Sequence, residues 1–182
     1  GWWMMRMFGH SRVSVLDGGL AAWRAIEGPL VAGDESSRKE GNFVTRPSSG
    51  ASVIDFTAIV SLLGDGLPEQ IIDARAAARF AGKMPEPRAG LRAGHIPGSK
   101  NLPFNELLDE NGMYLPPDKL QQRFEDAGVD TGQPAITSCG SGVTACVLAL
   151  GLSLVGNDDV SVYDGSWTEW GASSAPIATG ED

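Results

Sequence analysis

Short apolar runs bounded by turn residues, each set against a helical pattern, constrain what this chain can fold into. Gln70-Ile71-Ile72-Asp73, Ala135-Ile136-Thr137-Ser138 and Val160-Ser161-Val162-Tyr163 lie just after Pro, Gly, Asn or Asp positions and read as buried strands. Phe43-Val44-Thr45 and Asn101-Leu102-Pro103 read as two further short strands. Helical patterns run from Asp55 to Leu63 and from Asp118 to Ala127, each opened by an N-cap aspartate, and from Gly142 to Val155. This alternation predicts an α/β fold, a parallel sheet with helices on both faces. Ligands of such sheets bind beyond the carboxyl ends of the strands.

One strand end carries unusual chemistry. In Ala135-Ile136-Thr137-Ser138-Cys139-Gly140-Ser141-Gly142-Val143-Thr144-Ala145 a cysteine stands where strand gives way to helix, in a loop with two glycines. Such a loop turns backbone N–H groups and a helix N-terminus toward the sulfur, which stabilises a thiolate or a bound anion. A phosphatase loop would place an arginine six residues after the cysteine to clamp phosphate. That position is Ala145, which removes this class. Cys146, inside the following helix, reads as a packing residue.

Composition narrows the partners. A net charge of -9 argues against nucleic acid or an anionic membrane surface, both of which need clustered Lys and Arg. The apolar stretch from Val143 to Val155 is too short to cross a bilayer and reads as a buried helix. Two cysteines on one loop-helix unit make no disulfide framework, so a reduced, cytoplasmic setting is expected. Two histidines and two cysteines at these spacings match no metal-ligand pattern, and neither a metal nor a cofactor is expected.

An internal repeat bears on the domain organisation. Val13-Ser14-Val15-Leu16-Asp17-Gly18-Gly19-Leu20-Ala21-Ala22-Trp23 aligns with Val160-Ser161-Val162-Tyr163-Asp164-Gly165-Ser166-Trp167-Thr168-Glu169-Trp170, and Gly9 aligns with Gly156. Matched strand, Asp-Gly turn and Trp-bearing helix are the mark of a tandem duplication. On this reading residues 1–30 are the C-terminal remnant of a first domain, 31–50 a linker, and 51–182 the catalytic domain. Trp2 and Trp3 are expected to have faced the first domain's core, and the apolar remnant to favour self-association.

Three motifs, in order, resemble the signatures of rhodanese-type sulfurtransferases: His95-Ile96-Pro97-Gly98-Ser99, the Cys139 loop, and Tyr163-Asp164-Gly165-Ser166-Trp167-Thr168-Glu169-Trp170. The loop Cys139-Gly140-Ser141-Gly142-Val143-Thr144 is similar to that of the members using 3-mercaptopyruvate, whereas thiosulfate-preferring members carry basic residues at the positions of Gly140 and Ser141. The resemblance implies a rhodanese-like sheet and a sulfurtransferase in which Cys139 takes a sulfur atom as a persulfide and passes it to a thiol acceptor such as thioredoxin, or to cyanide. It implies Cys139 and Ser141 as catalytic residues, with Ser141 in a relay whose acidic and histidine members belong to the preceding domain. It also implies that Arg79 and Arg88 bind the donor carboxylate, a task suited to guanidinium, and that Gly140, Gly142, Val143 and Thr144 line the substrate. Arg75 is expected to pair with an acid such as Asp73 or to hold a loop, His95 to be structural, and Trp167 and Trp170 to pack. A thiosulfate-preferring enzyme, or a rhodanese-like module inactive by itself, are the other readings.

Overall fold

The computed structural model describes residues 1–33, 40–46, 51–65 and 70–180. Five parallel strands, β1 (Ala51–Ile54), β2 (Gln70–Asp73), β3 (Lys100–Asn101), β4 (Ala135–Ser138) and β5 (Val160–Tyr163), form one sheet in the order β1-β5-β4-β2-β3. The chain also forms helices α1 (Trp2–Met7), α2 (Gly19–Ala25), α3 (Phe56–Asp65), α4 (Ala77–Phe80), α5 (Pro117–Asp126), α6 (Ala145–Leu154) and α7 (Ser166–Trp170), with a 3-10 turn at Phe104–Leu107.

The pleat explains why the central strands are apolar on successive positions: neighbouring residues face opposite sides, and both sides are covered. Ile72, Ala135, Val160 and Val162 enter a core with Leu120, Phe124, Leu148 and Leu152. Ile71, Ile136 and Tyr163 enter a second core with Ile59, Trp167 and Trp170. Helix α6 lies close against the 3-10 turn because of Gly151, where a Cβ would stand 2.7 Å from a Leu107 methyl carbon.

β2, β4 and β5 have the bounds expected from sequence. Asp55 caps α3, its Oδ1 accepting the Ala58 N–H at 2.8 Å. Four expectations require correction. Phe43-Val44-Thr45 is not a strand but exposed irregular chain; the edge strand is instead Ala51–Ile54, too short and too exposed at Val53 to announce itself. Of the linker, residues 34–39 and 47–50 lie outside the described residues. Asp118 is no cap, since α5 starts at Pro117, whose fixed φ suits a first helical position, and Asp118 falls within the first turn. Helix α6 begins at Ala145 rather than Gly142, because Gly142 adopts φ +76°.

The fourth correction concerns the N-terminal segment. Trp3 is buried in the first core, and Trp2 and Met7 pack against it. Arg6 fastens α1 in place, donating to Asp158 at 3.0 Å and Ser153 at 3.1 Å. Of the repeated unit, α2 matches α7, but Val13–Leu16 forms no strand. An extended segment is a strand only when a neighbour completes its ladder, and these residues pair with none of the five described strands. No helix among the described residues is long and apolar enough to cross a membrane.

Candidate active site

Three adjacent strands deliver the site residues at their carboxyl ends. β4 is the middle strand and runs straight into Cys139; β5 leads to Ser166, and β2 leads to Asp73 and Arg75. Cys139 is buried at 2% exposure, and its Sγ accepts the Ser141 N–H at 3.4 Å.

Ser166 shapes this loop. Its Oγ accepts the N–H groups of Cys139 at 3.1 Å and Gly142 at 3.0 Å, and donates to the Tyr163 carbonyl at 2.7 Å. All three bonds are buried, and Ser166 holds φ 50°, a conformation costly for a side chain with Cβ. The turn is closed further by Trp167 N–H donating to the Cys139 carbonyl at 2.9 Å and Thr168 N–H to that of Gly140 at 3.0 Å. Gly142 cannot be replaced cheaply, since a Cβ there would stand 2.9 Å from the Asp164 carbonyl oxygen. The loop's amides therefore divide: those of Cys139 and Gly142 hold the fold, while that of Ser141 faces the sulfur.

Beside the loop lies a cleft of about 190 Å³, lined by Arg79, Glu86, Pro87, Arg88, Leu91, Gly140, Ser141 and Thr168. Of the residues expected at the site from sequence, Arg79, Arg88, Gly140 and Ser141 share this cleft, with Cys139 next in the chain. Gly142 is in the loop but has its amide bound to Ser166. Val143 is 72% exposed, and Thr144 serves as the residue preceding α6; neither lines the cleft.

The cleft's cations are not equivalent. Arg79 donates through Nε and Nη2 to the two oxygens of Glu86. Glu86, only 2% exposed, also accepts from Arg75 Nη1 at 2.9 Å. Arg75 in turn makes a buried two-pronged pair with Asp73, lies over the Trp167 ring at 4.2 Å, and donates to the Gly94 carbonyl at 2.8 Å. Arg88 donates to Thr168 Oγ1, whose hydroxyl reaches the Gly140 carbonyl at 2.5 Å. Arg75 thus pairs with Asp73 as the sequence led us to expect. Sequence reasoning missed Glu86 and Ser166. The signal for Glu86 was an acid between two prolines within an arginine-rich stretch; for Ser166 only the motif context could have served, since a serine after Asp-Gly reads as an ordinary turn.

The remaining groups are structural in geometry. His95 is fully buried, stacked on Phe80 at 3.7 Å, with Nδ1 at 2.9 Å from the Phe80 carbonyl. Trp167 and Trp170 use their indole N–H groups on the carbonyls of Arg92 and Pro176. Burial pushes the Cys146 thiol up from its ordinary pKa, with smaller like-charge contributions from Cys139 and Asp164, and its Sγ lies 3.5 Å from the Gly142 carbonyl. Burial, then the bond to Glu169, pushes the Tyr163 phenol far above its ordinary range. Among the described residues no cluster of His, Cys, Asp or Glu is placed to hold a metal ion.

A parallel α/β sheet that ends its middle strand in a buried cysteine, wrapped by a glycine loop and flanked by arginines, defines a class of α/β proteins that set one cysteine sulfur beside an arginine-lined cleft. The match of residues 57–173 to the rhodanese-like domain model places the chain in that family, to which it belongs. It is 44% identical to 3-mercaptopyruvate sulfurtransferase of Rattus norvegicus and 42% identical to thiosulfate sulfurtransferase of the same species, each match covering 93% of this chain. The chain spans 56% of the length of each of these relatives. The crystal structure of SseA from Escherichia coli, described as a 3-mercaptopyruvate sulfotransferase of rhodanese fold, superposes with a TM-score of 0.75 at 40% identity, over 91% of this chain and 60% of that one.

Proposed function

We propose that this protein is a sulfurtransferase that takes sulfur from 3-mercaptopyruvate onto Cys139 and hands it to a thiol or to cyanide. The observation that carries the reading is the buried Cys139 sulfur, facing the Ser141 amide and adjoining a cleft with two guanidinium groups. In the first half-reaction the Cys139 thiolate attacks the donor sulfur and forms an S–S bond. The donor's C–S bond breaks, its electron pair passes into the enolate of pyruvate, and a proton on the methylene carbon completes pyruvate. In the second, an acceptor thiolate or cyanide attacks the outer sulfur, the S–S bond breaks and Cys139 is restored.

Each residue has a part in this scheme. Arg88 and Arg79 bind the donor carboxylate, the Ser141 amide stabilises the sulfur anion before attack and after persulfide formation, and the Ser141 hydroxyl is available to the enolate oxygen. Gly140 leaves room beside Arg79, where a Cβ would come within 3.3 Å of Nη2. Similarity to a thiosulfate sulfurtransferase favours a second reading, in which thiosulfate is the better donor.

Turnover of the two donors with cyanide, followed as thiocyanate, tests both readings. Mercaptopyruvate is expected to give the higher kcat/KM, and Cys139→Ser to abolish thiocyanate from either donor. A higher kcat/KM for thiosulfate selects the second reading, and unimpaired turnover by Cys139→Ser defeats both.

A further inference from the structure

We infer that Glu86 sets donor specificity by fixing the net charge of the cleft, an inference that rests on the sulfur-transfer reading of this site. Asp73, Arg75, Glu86 and Arg79 form an alternating chain of two carboxylates and two guanidinium groups, in which every cation already faces an anion. The side chains of Asp73, Arg75 and Glu86 are 4%, 1% and 2% exposed, so water does little to screen them. Arg79, 23% exposed, is the end of the chain that reaches the cleft, and it arrives there with its charge offset by Glu86. Arg88, whose partner Thr168 is neutral, is then the one uncompensated cation among the cleft-lining residues.

The lining carries one net positive charge before the Cys139 thiolate is counted, so there is little positive charge left to offset a donor. A carboxylate carrying a neutral thiol brings one negative charge, whereas a dianion such as thiosulfate brings a second that goes unmatched in a partly desolvated site. Glu86 also holds Arg79 by both carboxylate oxygens, which keeps the guanidinium against Gly140 rather than free to follow a larger anion. Removing the Glu86 charge adds one unit of positive charge to the cleft and releases Arg79. Both changes favour the dianion.

The test is the ratio of kcat/KM for thiosulfate to that for mercaptopyruvate. Glu86→Gln keeps the side-chain shape and an oxygen acceptor while removing the charge, and should raise the ratio about tenfold or more, mainly through KM for thiosulfate. Glu86→Asp keeps the charge but loosens the hold on Arg79 through its shorter reach, and should raise the ratio clearly less than Glu86→Gln does. Because Glu86 is buried and the Gln variant could lose stability, Pro87→Lys provides a second route: it adds a cation at an exposed position of the cleft wall without touching the buried network, and should move the ratio in the same direction. Equal shifts from Gln and Asp, or a ratio that neither Gln nor Lys raises, overturn the inference. If the wild-type chain turns over neither donor, the sulfur-transfer reading fails first. The charge argument is then judged by calorimetric binding of sulfate against pyruvate: Glu86→Gln and Pro87→Lys should both strengthen sulfate relative to pyruvate, and no change in either overturns it.

Discussion

Of the two residues that most define the candidate site, one was plain in the sequence and the other was not. Cys139 stood out because a cysteine between a strand and a glycine loop has few structural reasons to be there. Ser166 did not, because its work is done by three buried hydrogen bonds to residues between 3 and 27 positions away. Ser166→Ala leaves two buried N–H groups and a carbonyl without partners; it should cost about 1–3 kcal/mol in denaturant unfolding and slow sulfur loading of Cys139 by tenfold or more. Unchanged stability would show that the loop holds itself without the hydroxyl. Cys146 offers a contrasting expectation. A thiol whose pKa is pushed up by burial holds its proton at higher pH, so less thiolate is present at pH 8 than for a free cysteine. In a Cys139→Ser background, alkylation of Cys146 by iodoacetamide at that pH should be slower than that of a small free thiol, and faster alkylation would contradict its placement.

Among the elements, the central strands were legible and the edges were not. β2, β4 and β5 are buried on both faces, so their apolar runs are dictated by packing and can be read directly. β1 is an edge strand held by the ladder to β5 and a Ser52–Ser161 hydroxyl contact of 2.7 Å, neither of which leaves a hydrophobic signature. Helix α1 shows a different limit: its two tryptophans announced burial but not against what. Trp3→Ala should cost about 3–5 kcal/mol, the range for emptying a large core site, and its loss should be seen as a lowered denaturation midpoint. The α1 clamp also carries a pH dependence. Hydrogen bonds from Arg6 and Ser153 hold the Asp158 carboxyl below its ordinary 3.8. A depressed carboxylate contributes stability above its unfolded pKa and loses it as pH falls through the folded one, so the clamp weakens below about pH 4. Asp158→Asn should flatten that part of the stability profile, and an unaltered acid limb would show the pair contributes nothing.

The whole molecule combines a net charge of -9 with a small cleft lined by two guanidinium groups. Sequence composition argued against polyanionic partners but could not show that Asp73, Arg75, Glu86 and Arg79 cancel one another, since that depends on a fold bringing a strand end and a loop together. A second whole-molecule feature is the apolar surface that Val15, Leu16, Leu20, Ile26, Leu30, Val31, Phe43 and Val44 individually expose, each at 48% or more. Such a surface predicts self-association, seen as a sedimentation coefficient that rises with concentration, and a concentration-independent monomer would contradict it.

The central claim, that Cys139 carries sulfur, is tested most directly by mass spectrometry of the chain after brief exposure to 3-mercaptopyruvate. The account predicts the mass of one added sulfur atom on the peptide at Cys139, pyruvate released in equal amount, and loss of that mass when cyanide is added. No added sulfur, or sulfur found on Cys146 with Cys139 unmodified, would contradict it.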